Sequence, residues 1–249
     1  MRVYQNITEA ESEIRRDLSK GPEIVSTRVQ QQTEIELKGR ERLGYQYTLL
    51  TVPETIEELM DFGSGHFEMY QKYPEETKKW LFEEVHRRLY PDSWYEDMGR
   101  SIAEPDCSEV QHPLLKSTLE GNFPSYTYQA RLMGSFTHIC RALERNPDTR
   151  RAFWPIYTPQ DAQRMGEPTR IPCSLGYLPM IRDLGNGENR LVMFYLERSC
   201  DFDHFWLSDV FLAGAFQRMI SEEIGVPSGA LIHYIISFHS FEVETEEIY

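Results

Sequence analysis

The sequence predicts an α+β fold. Strand-like and helix-like segments succeed one another without the regular alternation of a βαβ chain. "GNGE" sets a glycine-containing turn between two strand-like runs, a hairpin signal. "DVFLAGAFQRMISEEIG" carries an apolar helical face and stops on a glycine.

The first element, "MRVYQNITEAESEIRRDLSK", is polar and patterned as an amphipathic helix rather than a secretory leader. "TEIELKG" alternates as a strand, and "YQYTLLTV" reads as a second one. "PETIEELMDF" has the proline and early acids of a helix start. The stretch from Gly63 to Trp94 is mostly helical, broken at Pro74. Residues 98–125 are rich in Pro, Ser and Gly and predict loops. "SFTHICRALERNPDTRR" is a helix stopping at Asn146-Pro147. "AFWPIY" and "SLGYLPMIRD" are strand-like, and "NRLVMFYLERS" completes the hairpin. After the long helix, "ALIHYIISFHSFEVE" is a last buried strand. No repeat or low-complexity segment interrupts this order.

Composition narrows the function. A net charge of −14 argues against wrapping nucleic acid, which needs many phosphate-neutralising cations. A small anion can still be held by a local basic cluster. The four cysteines, Cys107, Cys140, Cys173 and Cys200, form no CxxC pair and are too few for a disulfide scaffold. They predict no zinc site and a reduced, cytoplasmic chain. No apolar run approaches the roughly 18 residues of a membrane span.

Several residues stand out chemically. Cys173 follows Pro172 at the start of a strand; a free cysteine is most often a small hydrophobe, but nearby arginines favour the thiolate. Such arginines are present: Arg150-Arg151 after "NPDT", Arg170 before "IPC" and Arg198 in "RSCD". Arg198-Ser199 combines a fork of donors with a hydroxyl, a set suited to phosphate. Asp209 sits among apolar residues, as a helix N-cap with Ser208 as rival or as a recognition group. His239 lies on an apolar strand, where a hydrogen-bonded core histidine is the commoner case. Glu68 is one acid among many.

Together, "NPDTRR", "IPC", "ERSCD" and "GVPSGALIHYIISFHSF" resemble the ordered motifs of thymidylate synthase, from about Asn146 to Phe241. Before that, only "TEIELKG", "FEMYQKY" and "NFPSYTYQ" are alignable. The resemblance implies a single catalytic domain over 1–249 built on a twisted mixed sheet flanked by helices, with a sheet face used for dimerisation. It implies Cys173 as the nucleophile on C6 of a pyrimidine nucleoside monophosphate. Arg198 and Ser199 would hold the 5′-phosphate, with Arg150 and Arg151 reaching across a homodimer and Arg28 as a further ligand. His239 would meet a sugar hydroxyl. Asp201 would bind the pterin of methylenetetrahydrofolate, with Trp94 and Tyr126 also at the folate. Glu68 fits the family's catalytic glutamate, with Glu58 as the alternative. No metal, membrane or nucleic-acid partner is implied.

The departures from that pattern choose the substrate. Thymidylate synthases carry Asn eight positions beyond Asp201, where it reads the uracil edge; this chain has Asp209. The deoxycytidylate hydroxymethylases have Asp there. A carboxyl can accept from the cytosine N4 amine and share a proton with N3, which an amide cannot. Glu197 replaces a glutamine of the synthases. The late sugar-binding tyrosine is Phe241, residues 70–125 diverge, and the segment after Phe241 is shorter than the family's folate-closing tail. The expected activity is therefore 5-hydroxymethylation of CMP or dCMP. A thymidylate synthase or uridylate hydroxymethylase is the near rival, and a non-catalytic nucleotide-binding relative the distant one.

Overall fold

The computed structural model describes residues 2–27, 36–89, 128–165, 171–185 and 187–241. The N-terminal segment differs from expectation. It opens as a short strand, β1 (Arg2–Tyr4), and helix α1 (Ile7–Ser19) begins only after Asn6. The Asn6 side chain accepts from the Glu9 N–H at 3.1 Å, a cap that fixes where the helix can start. Helix α1 then buries Ile7, Ala10, Ile14 and Leu18, the spacing of one helical face.

A strand that periodicity did not predict, β2 (Glu23–Thr27), pairs with β3 (Glu36–Leu49). The two expected strands merge into β3, because Gly44 takes a positive φ of 63° without interrupting the ladder. Leu43 still pairs with Ser237, and Tyr45 with Ile235. Only glycine adopts that backbone cheaply.

Helix α2 (Ile56–His66) is capped by Thr55, whose side chain accepts from the Glu58 N–H. Short α3 (Glu68–Lys72) comes next, and α4 (Pro74–Leu89) starts on the proline that marked the break. Helix α5 (Tyr128–Arg145) leads through the "NPDT" turn to β4 (Trp154–Pro155) and α6 (Pro159–Gln163). Strands β5 (Ser174–Asp183) and β6 (Asn189–Asp201) form the expected hairpin. Helix α7 (Trp206–Ile224) ends at left-handed Gly225, and β7 (Ser228–Phe241) closes the described chain.

Among the described residues the strands make one open, seven-stranded mixed sheet in the order β1-β3-β7-β6-β5-β4, with β2 beside the other half of β3. Strands β6 and β7 are parallel neighbours joined through α7. Helix α7 packs on β6 and β7 and meets α2, α4 and α5. It is apolar nearly all round because it is buried nearly all round. No described helix is long and apolar enough to cross a membrane.

Two features of the sheet organise its interior. Tyr177, Tyr195, His233 and Tyr47 are register partners across β5, β6, β7 and β3, and all are buried. Their rings form a row with centroids 4.9, 4.5 and 5.3 Å apart. Further along, Glu197 and Cys200 on β6 are both buried although three residues apart, as are Ile235 and Phe238 on β7. Strict alternation would send the members of each pair to opposite faces. The two neighbouring strands therefore change phase together, which turns both Glu197 and Cys200 inward.

Candidate functional site

Cys173 is the residue just before β5, and it is half-buried. Arg198 on β6 clamps its segment. The Arg198 backbone N–H donates to the Cys173 carbonyl at 2.8 Å, while Nε and Nη2 donate to the carbonyls of Pro172 (3.0 Å) and Ile171 (3.3 Å). Ser199 and Asp201 continue β6, and His239 lies opposite Asp201 on β7. One end of the sheet thus gathers Cys173, Arg198, Ser199, Asp201 and His239. Asp201 shapes the turn after β6: one oxygen accepts from the Asp203 N–H at 3.1 Å, and the other faces His204 Nδ1 at 2.9 Å. The His239 ring packs at 4.8 Å from that of Phe241, and His239 is half-buried rather than a core histidine.

Asp209 stands in the first turn of α7, and neither it nor Ser208 is the N-cap. That position belongs to Phe205, and the Ser208 hydroxyl donates to the Phe205 carbonyl. The Asp209 carboxyl instead turns inward, 8% exposed. One of its oxygens, a Glu197 carboxylate oxygen and Cys200 Sγ all lie within 4.8 Å of one another. The Cys200 thiol is pushed well up, first by burial and then by Glu197, Asp209 and Asp201, with Cys173 also within electrostatic reach. Burial, then Asp209, pushes up the Tyr195 and Tyr70 hydroxyls too. Donor atoms this close are within reach of one cation, but a cation would have to displace the firmly held thiol proton.

A buried hydrogen-bond chain supports that cluster. Trp206 Nε1 donates to the Tyr47 hydroxyl at 2.6 Å, Tyr47 is 2.7 Å from His233 Nδ1, and His233 Nε2 is 3.0 Å from Glu197 Oε2. An indole N–H only donates. The Tyr47 hydroxyl therefore accepts from Trp206 and directs its own proton to Nδ1. His233 then carries its proton on Nε2 and donates to Glu197. Burial holds this imidazole neutral, pushing its pKa down to about 3 although Asp209 opposes the shift. Beside the chain, Tyr128 donates to Ser174 Oγ at 3.3 Å, and Ser174 shares a 2.6 Å bond with the Tyr195 hydroxyl.

The other sequence-derived candidates fall elsewhere. Arg150 and Arg151 are exposed after the "NPDT" turn, which Arg182 of β5 pins through the carbonyls of Pro147, Asp148 and Thr149. Glu68 opens α3, exposed and 4.0 Å from Lys72 Nζ; Tyr70 of the same helix is the residue that reaches Asp209 electrostatically. Glu58 accepts from the Glu54 N–H at 2.8 Å, a helix-capping contact. Arg28, Trp94 and Tyr126 lie outside the described residues.

Sequence reasoning passed over His233 and Tyr47 and noted Glu197 only as a departure. An ionisable residue inside each of the apolar runs "RLVMFYLERS" and "ALIHYIISF" was the available signal. No protein-family model and no curated protein matches the chain.

Proposed function

We propose that the protein is a thymidylate synthase-like cytidylate 5-hydroxymethyltransferase acting on CMP or dCMP. The observation that carries this reading is the convergence of three chemistries at one end of the sheet: the Cys173 thiol, the Arg198 guanidinium that clamps its segment, and the inward carboxyl of Asp209. Of the described cysteines, burial pushes the Cys140 thiol up to about 11 and the Cys200 thiol well up, so Cys173 is the suited nucleophile.

In this reading, Arg198 and Ser199 hold the 5′-phosphate, and its arginine neighbours favour the Cys173 thiolate. Cys173 Sγ bonds to C6, and the C5=C6 electron pair moves toward N3, making C5 nucleophilic. Asp209 accepts from the N4 amine and supplies a proton at N3. Methylenetetrahydrofolate, when bound, supplies the one-carbon unit. Water adds to the exocyclic methylene that remains once C5 has lost its proton and tetrahydrofolate has departed with its N5 electron pair, and the C6–Sγ bond breaks to restore C5=C6 and release 5-hydroxymethyl-cytidylate. Asp201 is the carboxylate suited to a pterin N–H, since an ionised carboxyl offers about four acceptor sites and can take that donor alongside Asp203 and His204. Phe241 removes a hydroxyl where the family grips the sugar, which favours acceptance of the ribonucleotide CMP.

A homodimer suits the same reading. Leu178, Met180, Phe194, Leu196, Tyr234 and Ile236 leave the sheet face opposite α7 partly exposed, with Tyr234 at 40% and Ile236 at 45%. A patch of this kind is what a partner copy would cover, and Arg150 and Arg151 would then reach the partner's phosphate. The deciding experiment incubates the protein with CMP, dCMP, UMP or dUMP plus methylenetetrahydrofolate and identifies products by mass. A hydroxymethyl adduct on a cytidylate supports the reading. Turnover of uridylates alone returns the chain to the uracil-using enzymes, and no product with any nucleotide favours a non-catalytic relative.

A further inference from the structure

We propose that Arg182 is a positioning residue: by mooring the "NPDT" turn to the far end of β5, it sets Arg150 and Arg151 where they can meet the phosphate of a nucleotide bound by the partner protomer. The inference rests on the cytidylate reading and its homodimer for the phosphate, but the mooring itself is tested without nucleotide.

The turn takes its shape from its own bonds. The Thr149 N–H donates to the Asn146 carbonyl at 2.9 Å. Thr149 is buried, and its hydroxyl oxygen accepts from the Arg151 N–H at 3.2 Å. Local bonds of this kind set curvature; they do not say where the turn lies on the sheet. Arg182 supplies that. Its Nη1 donates to the carbonyls of Pro147 at 3.3 Å and Ile181 at 2.5 Å, and its Nη2 to those of Asp148 at 3.2 Å and Thr149 at 3.4 Å. One planar fork thus holds three consecutive carbonyls of the turn, a geometry that a single ammonium reproduces poorly.

Arg182 also places the turn beside the face that the homodimer would use. Residues two apart on a strand share a face, so Arg182 continues the row of Leu178 and Met180 opposite α7, and its Nη2 lies 3.5 Å from Met180 Sδ. Arg150 and Arg151 follow the turn directly, both exposed.

Strand geometry decides which site these arginines can serve. Trp154 pairs with Tyr177, and Pro155 with Gly176, in antiparallel register. The segment before Trp154 therefore runs toward the Asp183 end of β5 and away from Cys173. Arg182 stands nine residues beyond Cys173, roughly 30 Å along an extended strand. An arginine side chain beside that turn falls short of the phosphate of a nucleotide whose C6 meets Cys173 Sγ in the same protomer. A phosphate in the partner's site is the one left for it, and Arg182 determines where the pair is presented.

Hydrogen exchange read by mass spectrometry tests the mooring first. Ala152 and Trp154, buried just beyond the turn, keep the chain attached when Arg182 is removed. In Arg182→Met the Thr149 and Arg151 amides should therefore exchange faster than in the wild type, while β6 and α7 keep their protection. Unchanged exchange in the turn overturns the mooring, whatever nucleotide the protein uses. Calorimetric titration with CMP tests its purpose. Arg182→Met should weaken CMP binding roughly tenfold, the equivalent of one hydrogen bond to a charged group. In an Arg150→Ala/Arg151→Ala background the same substitution should cost nothing further, because no arginine pair remains to be placed. No loss in the first background, or an equal loss in both, overturns the positioning role. CMP binding by the wild type that Arg150→Ala/Arg151→Ala leaves unchanged overturns the shared phosphate site and with it the purpose of the mooring. A wild type that does not bind CMP sinks the cytidylate reading, and the exchange result then stands alone. If Arg182→Met does not fold, Arg182→Lys, which keeps the charge and three donors but loses the fork, should show the exchange and affinity effects at smaller size, with the same outcomes against it.

Discussion

The Tyr47 hydroxyl and His233 Nδ1 share a 2.7 Å hydrogen bond in the interior of the sheet, 186 residues apart in sequence. The bond does more than fill two polar groups. With Trp206 donating to the same hydroxyl, it decides which nitrogen of His233 carries the proton and so what Glu197 receives. Tyr47→Phe leaves the Trp206 N–H and His233 Nδ1 without this partner. A buried polar group deprived of its bond costs about 1–3 kcal/mol, so chemical denaturation should register a loss of at least that size. A loss within error would show that water or a tautomer change replaces the hydroxyl.

His233 also predicts the direction of acid sensitivity. Its folded pKa, pushed down to about 3, lies below the ordinary histidine value of about 6.5. Between those values the unfolded chain binds the extra proton, so stability rises with pH there. The contribution is complete above about pH 6.5 and is lost as the pH falls toward 3, with a slope of at most about 1.4 kcal/mol per pH unit. In His233→Gln this component of the slope should vanish. An unchanged slope between pH 4 and 6 would assign the acid sensitivity to other groups.

The sequence revealed what local pattern controls. The β5–β6 hairpin and α7 with its Gly225 stop are set by residues close in the chain, and both formed as expected. Strand β1 was hidden in an amphipathic segment because its three residues are too few to show a period; the Asn6 cap sets the boundary. The two strands read separately as "TEIELKG" and "YQYTLLTV" are one, because pairing with β7 holds β3 in register on both sides of Gly44. Motif order singled out Cys173, Arg198 and Asp209, and the structure sets Cys173 beside Arg198 and Asp209 beside Glu197 and Cys200. The Trp206–Tyr47–His233–Glu197 chain was not legible, since its members come from four elements and meet only when the sheet assembles. The inward turn of both Glu197 and Cys200 was equally invisible, because it breaks the alternation by which strands are read.

Thiol chemistry separates the cysteines. Cys173 is half-buried, whereas Cys140 and Cys200 are buried with their thiols pushed up. The thiolate is the reactive form, so among these three a haloacetamide should label Cys173 first at pH 7.5, as mapped by peptide mass spectrometry. Cys173→Ser should lose turnover by several orders of magnitude, still bind nucleotide, and form no covalent adduct with a 5-fluoropyrimidine nucleotide. Near-normal activity in that variant would end the proposed mechanism.

Arg150 and Arg151 are exposed beyond the turn that Arg182 pins, which suits a role across a subunit boundary. If each site takes its cysteine from one protomer and these arginines from the other, mixed dimers should complement. A subunit with Arg151→Ala combined with one carrying Cys173→Ser rebuilds one intact site out of two. The mixture should recover a measurable fraction of wild-type activity while either homodimer remains poor. A monomer by sedimentation, or no recovery after proven subunit exchange, would place all phosphate contacts within one chain.

Asp209→Asn is the sharpest test of base choice, because the competing explanation has been removed. Phe205, not Asp209, is the N-cap of α7, so the substitution leaves the cap residue in place. An amide keeps the size of the carboxyl but presents a fixed donor and acceptor, the complement of uracil O4 and N3–H. Cytidylate then meets a mismatched edge, and each unpaired buried polar group costs about 1–3 kcal/mol. The ratio of kcat/KM for cytidylate over uridylate should therefore fall by at least about tenfold and by several hundredfold if both edges are mismatched. Removing one of two crowded buried acids should leave the variant as stable as the wild type or more so, in contrast to Tyr47→Phe. Measured with both nucleotides in both proteins, an unchanged ratio would leave Asp209 as a buried neighbour of Glu197 and Cys200 with no part in choosing the base.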